Sequence, residues 1–169
     1  PSFVFPPKKY AYTPTIDIDN AYAFLGKSFL RTAGGYAKAL LKSDRNDFSM
    51  RRKVLAGKEK DPFDTYDFQF SVHKKYNLKP VYFFLLGDWA PNDKNLPHTS
   101  PLMQSLVKNI PANAETGIHP SFASNRNPER VEVEKKRLSE ISGKDVSKSR
   151  QHFLMLHFPI DGELPPAEV

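Results

Sequence analysis

Several side chains suited to metal binding or proton transfer follow stretches of this chain that are predicted to be strands. Asp17 and Asp19 end one stretch, Asp88 follows a second, and His119 and His152 end two later ones. Carboxylates and imidazoles are the usual protein ligands of divalent metals when cysteine is absent. Because the carboxyl ends of parallel strands meet at one edge of a sheet, these side chains are expected to converge there. The pattern predicts a divalent-metal site.

The spacing of Asp17 and Asp19 allows the two carboxylates to have different roles. Asp17 and Asp19 lie two residues apart on a predicted strand, so their side chains point to the same face. Repulsion there raises one pKa unless a cation or a donor separates the two groups. One carboxylate can then bind a metal while the other acts as a base. Alternatively, Asp19 or Asn20 simply caps the helix that follows.

The later histidines have alternative interpretations. His119 lies where a predicted buried strand meets a loop held by Pro120, and a lone histidine there is often only a packing or turn residue. Arg150 lies two positions before His152, so the guanidinium could orient a carboxylate while the imidazole binds metal. The alternative is a surface strand whose arginine forms a structural ion pair.

The elements that position these residues alternate along the chain. Strands are predicted over 13–19, 79–87, 114–119 and 145–152. Helices are predicted over 21–57 (broken at Gly34-Gly35), from Pro101, over 128–142 and from 153–158 onwards. The loop at 61–67 is predicted to lead into a further helix through about Tyr76, with Asp61 or Asp64 as its cap. Such alternation predicts parallel strands with right-handed crossovers. The expected fold class is therefore α/β, either a barrel or an open doubly wound sheet.

Composition excludes several classes of protein. The 169 residues are enough for one domain, and their net charge of +6 is dispersed, without the basic stripe that nucleic-acid binding needs. The longest apolar run, 81–86, is far shorter than the roughly 20 residues of a transmembrane helix. The absence of cysteine excludes disulfides and thiolate ligands. It leaves the compartment open between the cytoplasm, slightly preferred, and the bacterial envelope, and the oligomeric state is equally undetermined.

Four motifs give the chain a family resemblance. They are Thr-Ile-Asp-Ile-Asp at 15–19, Lys-Pro-Val-Tyr-Phe-Phe-Leu at 79–85, Gly-Ile-His-Pro-Ser at 117–121 and Ser-Arg-Gln-His-Phe at 149–153. In order and spacing the chain resembles the polysaccharide deacetylases, in the branch related to the nodulation chitooligosaccharide deacetylase. The segment Asp-Pro-Phe-Asp-Thr-Tyr-Asp at 61–67 also resembles that branch. The resemblance implies a distorted (β/α) barrel, a divalent metal, commonly zinc, and hydrolysis of an N-acetyl group from a sugar.

The resemblance also implies residue roles. Asp17 would be the general base, and Asp19 and His119 would be metal ligands. The better known members carry a second ligand histidine four positions after the first, where this chain has Ala123. We predict that His152 replaces it, because a catalytic zinc needs three protein ligands and an open position. The alternatives for that ligand are Ser124, water or a carboxyl-terminal segment beyond this chain.

Further residues and partners complete the prediction. Arg150 is expected to act in catalysis by keeping Asp17 ionised, and Ser121, Ser124 and Asp88 are expected to bind substrate. The partner would be an N-acetylated polysaccharide or oligosaccharide, with no nucleic acid and no transmembrane segment. The alternative is an inactive glycan-binding or scaffold domain of a polysaccharide-biosynthesis protein.

The domain organisation expected from the sequence is a single deacetylase-like domain over 1–169. It would carry a helical insertion around 35–58, which could dock on an acidic partner or a membrane surface. Both ends look cut, so a fragment lacking the last barrel strands is expected.

Overall fold

A three-stranded parallel sheet forms the centre of the fold. A computed structural model of the chain describes residues 10–154, so the two ends of the predicted 1–169 domain, and most of the helix predicted from 153–158, lie outside the described residues. The strands are β1 (Thr15–Ile18), β2 (Val81–Phe84) and β3 (Glu115–Ile118), in the order β1-β2-β3. They confirm three of the four predicted strands and the α/β class.

Five α-helices and two short 3₁₀ segments surround the sheet. They are α1 (Phe29–Leu41), α2 (Arg45–Leu55), α3 (Tyr66–Lys75), α4 (Pro101–Lys108) and α5 (Glu129–Ser142), with 3₁₀ segments at Phe122–Arg126 and His152–Leu154. The predicted starts of α4 and α5 are confirmed, and Gly143 ends α5 in the left-handed conformation at φ 68°. Among residues 10–154 no helix has the length and apolar character needed to cross a membrane.

The predicted barrel is not present, because the sheet of the described region is open. A (β/α) barrel closes with eight parallel strands, whereas residues 10–154 form three. The predicted fourth strand, 145–152, is reduced to one parallel bridge between Ser149 and Ile118. The chain turns away soon afterwards, since Phe153 adopts a φ of 63°, which is incompatible with extended backbone. The result is an open parallel sheet.

One face of the sheet carries the core. Ile18, Tyr82, Phe84 and Ile118 pack there against buried side chains of α4 and α5. All four residues of β2 are buried, which explains why the sequence of this strand is a continuous apolar run. The opposite face of β1 carries Asp17 and therefore remains available for polar chemistry.

The predicted insertion folds as a helical hairpin, but the turn between its two helices is not at the predicted Gly34-Gly35 position. α1 continues through Gly34 and Gly35, and the chain turns instead at Ser43, where φ is 53°. A glycine inside a helix lowers helix stability by about 1 kcal/mol relative to alanine, so a helix can still form through it. At Gly35 the missing Cβ makes room for the Arg51 side chain of α2, whose guanidinium also lies 4.6 Å from the ring centre of Phe24. This contact explains why the helix tolerates the glycine.

Candidate metal centre

Three side chains converge at the carboxyl edge of the sheet. The His119 Nε2 atom lies 3.0 Å from Asp19 Oδ1 and 3.0 Å from His152 Nδ1. The distance between Asp19 Oδ1 and His152 Nδ1 is 3.4 Å. Each residue thus offers one ligand atom to the same point, and the group could hold a metal ion.

Strand register explains how two of these residues meet. Ile18 and Ile118 are both in register with Phe84, so Asp19 and His119 follow neighbouring positions on either side of β2. Their side chains reach towards each other across the end of that strand. The pairing of parallel strands therefore fixes the Asp19–His119 contact.

His152 arrives from a different element. Arg150 donates its backbone N–H to Ile118 O, and His152 donates its own to Pro120 O at 3.2 Å. The chain therefore follows β3 and its loop to the site even though a full fourth strand is not formed. His152 itself is only 8% exposed.

Backbone carbonyls orient both imidazoles. His119 Nδ1 contacts Arg150 O, and His152 Nε2 lies 3.4 Å from Asn92 O. A carbonyl only accepts, so in both rings the outward nitrogen is the donor and the inward nitrogen carries a lone pair when the ring is neutral. Asp19 Oδ1 is also an acceptor. Three acceptors facing one another require a proton or a cation between them, as in metal sites whose histidines are held by carbonyls.

The electrostatics of the site are consistent with this need. The hydrogen bond with His119 lowers the pKa of Asp19, against the opposing effect of burial. Burial alone would lower the pKa of His119, but the contacts with Asp19 and with the Arg150 carbonyl outweigh it and raise the pKa. A divalent cation would therefore compete with a proton at His119.

Asp17 and Arg150 form a separate pair beside the group. Arg150 Nε lies 3.4 Å from Asp17 Oδ2, and its Nη1 donates to Thr15 Oγ1 at 2.8 Å. Asp17 is partly exposed, with 30% of its side chain accessible, and it is not a member of the ligand group. The arrangement leaves Asp17 available for proton transfer, and its role as a base stays a prediction.

The predicted substrate-binding residues lie in different surroundings. Ser121 and Ser124 are buried, and their hydroxyls donate to Glu134 Oε1 and to Ser121 O, both at 2.6 Å. Asp88 is exposed and pairs with Arg137 at 2.9 Å. The two serines shape the loop that carries His119. None of the three belongs to the ligand group, and their assignment to substrate binding stays a prediction.

Sequence reasoning missed the carboxylates that hold this loop. Glu134 accepts from Ser121 N at 2.9 Å as well as from the Ser121 hydroxyl, and Asp93 accepts from the backbone N–H groups of Phe122 and Ala123 at 2.7 and 3.2 Å. Burial raises the pKa of Glu134. A signal for Glu134 existed, since it lies four residues before the buried Leu138 on the inward face of α5.

A third missed carboxylate holds the segment after Asp19. Asp61, only 3% exposed, accepts from the backbone N–H groups of Ala23, Phe24, Leu25 and Phe63 at 2.8–3.1 Å. The sequence had suggested that Asp61 or Asp64 caps α3, but the N-cap residue is Thr65 and Asp61 serves a distant loop.

Two clefts open on either side of Asp19. One, of about 380 Å³, is lined by Ile16, Asp17, Ile18, Asp19, Asn20, Phe63, Tyr66 and Gln69. The other, of about 350 Å³, is lined by Asp19, Asn20, Leu85, Pro91, Asn92, Lys94, His152 and Phe153. A ligand longer than one small group could therefore extend to both sides of the site.

Removal of the Glu134 carboxylate is expected to loosen the metal site from a distance. In Glu134→Ala the Ser121 amide and hydroxyl lose their acceptor, so the loop that positions His119 is less fixed. We expect zinc affinity to fall about 10- to 100-fold, the range seen for residues that orient ligands. Isothermal titration with zinc measures it, and Glu132→Ala, an exposed change on the same helix, is the matched control. Equal affinities in the two variants would contradict this positioning role.

The fold and the site define an α/β protein with an open parallel sheet and an Asp-His-His group at its carboxyl edge. No family model, curated protein or solved structure matches this chain. The resemblance to the polysaccharide deacetylases therefore rests on sequence motifs alone.

Proposed function

We propose that this protein is a metal-dependent hydrolase that removes N-acetyl groups from a polysaccharide or oligosaccharide. The observation that carries the proposal is the set of three acceptor atoms, two of them on histidines oriented by carbonyls, that face one another within 3.4 Å. Two imidazoles and one carboxylate are a donor set typical of catalytic zinc, which keeps a fourth position for water. The sequence motifs support the choice of an acetylated sugar.

The chain supplies groups for each part of such a hydrolysis. Bound zinc would lower the pKa of water and polarise the acetyl carbonyl. Asp19, His119 and His152 would hold it. Asp17 would accept the proton of the attacking water as general base, and the Arg150 guanidinium, whose Nε lies 3.4 Å from Asp17 Oδ2, would hold the carboxylate in position.

The clefts beside Asp19 fit an extended, partly polar substrate. Phe63 lines one cleft and Phe153 the other, and they are 50% and 60% exposed. Such aromatic faces can contact the apolar side of a sugar ring. Asn20 lines both clefts, and its buried Oδ1 has no hydrogen-bond partner among residues 10–154. Rotation of the Asn20 side chain would bring this acceptor to the acetamido N–H of a bound sugar.

Replacement of Asp17 separates metal binding from hydrolysis. Asp17→Asn should bind zinc as the parent does, because Asp17 is outside the ligand group, and should release acetate roughly 10²- to 10⁴-fold more slowly, the usual contribution of a general base. Zinc titration and acetate release from acetylated chitooligosaccharides measure the two properties. Asp67→Asn, at a highly exposed carboxylate of α3, is the matched control and should change neither. A parent protein that binds no zinc, cobalt or nickel at micromolar concentrations would refute the mechanism.

A second function, glycan binding without catalysis, has one observation in its favour. Ala123 occupies the position of the second ligand histidine in the family that the chain resembles. Under this alternative the parent binds zinc and acetylated oligosaccharide, yet releases no acetate. The same pair of measurements distinguishes it from the hydrolase.

A further inference from the structure

The outer face of α1 is apolar although it is exposed. Four large apolar side chains on this face are mostly exposed: Phe29 (84%), Leu30 (80%), Leu40 (65%) and Leu41 (88%). Ala33, Gly34 and Ala37, also exposed, lie between them. At 3.6 residues per turn these positions span an arc of about 140° along the whole helix. A continuous apolar stripe of this kind on a helix marks an interaction surface.

Basic side chains lie along one border of this stripe. At the same helical spacing, Lys38, Arg31 and Lys42 occupy the next arc of about 40°. The remaining side of the helix, with Tyr36 and the buried Ala39, faces the protein. α1 is therefore an amphipathic helix that turns its apolar stripe, bordered by cations, to solvent.

Basic residues are dispersed along the whole sequence, but acidic residues balance them everywhere except in segment 27–58, which comprises the α1–α2 hairpin and its flanking residues. Residues 27–58 contain five lysines and four arginines against Asp44 and Asp47, a net charge of +7. The whole chain has +6, so everything outside the hairpin sums to −1. Lys38, Lys42 and Arg52 are among the exposed cations.

An exposed tryptophan extends the surface towards the metal centre. Trp89, the only tryptophan of the chain, is 61% exposed, and the Arg31 guanidinium lies 5.9 Å from its ring centre. Arg31 also donates to Lys94 O at 2.8 Å and to Asn95 O at 3.2 Å. Lys94 lines the cleft that contains His152. The surface is therefore tied to the loop that borders the site.

We propose that α1 and Trp89 dock this protein in the plane of an anionic lipid bilayer. Helices that lie in the interface have an apolar stripe, a cationic border and little net hydrophobicity, and tryptophan is favoured at that depth. Anionic headgroups complement the +7 charge of the hairpin. A second copy of the chain is a poorer occupant, because pairing through α1 brings two such charges together. This inference is independent of the hydrolase proposal.

Vesicle binding tests the docking surface. The full chain is mixed with phosphatidylcholine vesicles with and without phosphatidylglycerol, and binding is followed by sedimentation and by the emission of Trp89. We expect binding and a blue shift only with the anionic vesicles, with weaker partitioning at high salt. Leu30→Glu should reduce partitioning by roughly tenfold or more. Phe68→Glu, a change at an exposed residue of α3, is the control and should bind as the parent does.

The charge contribution is measured separately. Lys38→Gln should weaken partitioning about fivefold, the effect of one basic residue near an anionic surface, whereas Lys136→Gln on α5 should leave it unchanged. An unchanged circular dichroism spectrum and an unchanged urea unfolding midpoint in each variant show that the fold is intact. No binding to anionic vesicles, equal binding to neutral ones, full binding by Leu30→Glu, or a dimer that Leu30→Glu dissociates would each overturn the proposal.

Discussion

His152→Ala is expected to lower zinc affinity by more than about 100-fold, as is His119→Ala, because each change removes one of the three candidate ligand atoms. A residue that only orients a ligand costs about 10- to 100-fold, so the two roles are distinguishable. In this chain His152 Nδ1 lies 3.0 Å from His119 Nε2 and its other nitrogen faces the Asn92 carbonyl. That geometry is the reason to expect the larger loss. Isothermal titration with zinc measures it.

The matched control is His98→Ala. His98 is half-buried in the loop before α4 and lies outside the ligand group, so its removal should leave zinc affinity unchanged. Parental affinity and parental pH dependence in His152→Ala would show that His152 is structural. The third ligand would then have to come from Ser124, from water or from residues beyond the described part of the chain.

Asp61→Ala is expected to destabilise the fold by about 3–5 kcal/mol, since it leaves buried donors without the charged acceptor they share. Asp61 accepts four backbone N–H groups, three of them in the segment that follows Asp19. Urea unfolding monitored by circular dichroism gives the free energy. Asp61→Asn keeps one acceptor oxygen and should lose less.

The loss of unfolding free energy in Asp61→Ala should depend on pH. The four hydrogen bonds outweigh burial and lower the pKa of Asp61, so its stabilisation is present above the pKa of an unfolded aspartate, about 3.9. It is lost as the pH falls through the lower folded value, and the difference between parent and Asp61→Ala shrinks there. Asp67→Ala removes a highly exposed carboxylate of α3 and should leave the unfolding midpoint unchanged. Similar midpoints for Asp61→Ala and Asp67→Ala at neutral pH would contradict the prediction.

Local signals predicted most of the elements and failed where contacts between elements decide. The Ser-Pro start of α4, the glycine end of α5 and the apolar run of β2 act within a few residues, and each is present as expected. The predicted helix break at Gly34-Gly35 is wrong, because the Arg51 side chain of α2 packs into the space beside Gly35 and the helix continues through it. The barrel is absent from the described region because closure depends on strand pairing, which no local pattern specifies.

In the candidate site, too, the sequence predicted some of the important residues and missed others. Residue type and strand-end position marked Asp19, His119 and His152 in the sequence, because parallel strands bring their carboxyl ends to one edge. The carboxylates that hold the surrounding loops were missed. Asp61 and Glu134 accept from backbone N–H groups 13 to 38 residues away, and a backbone amide has no side-chain signature.

The sequence by itself indicated the candidate ligand residues and the α/β class. Only the tertiary structure decided which nitrogen of each imidazole faces the common point, because that choice depends on the carbonyls of Arg150 and Asn92. It also decided that α1 exposes its apolar stripe. Hydrophobic periodicity specifies that one face of a helix is apolar, but whether that face is buried depends on the elements packed against it.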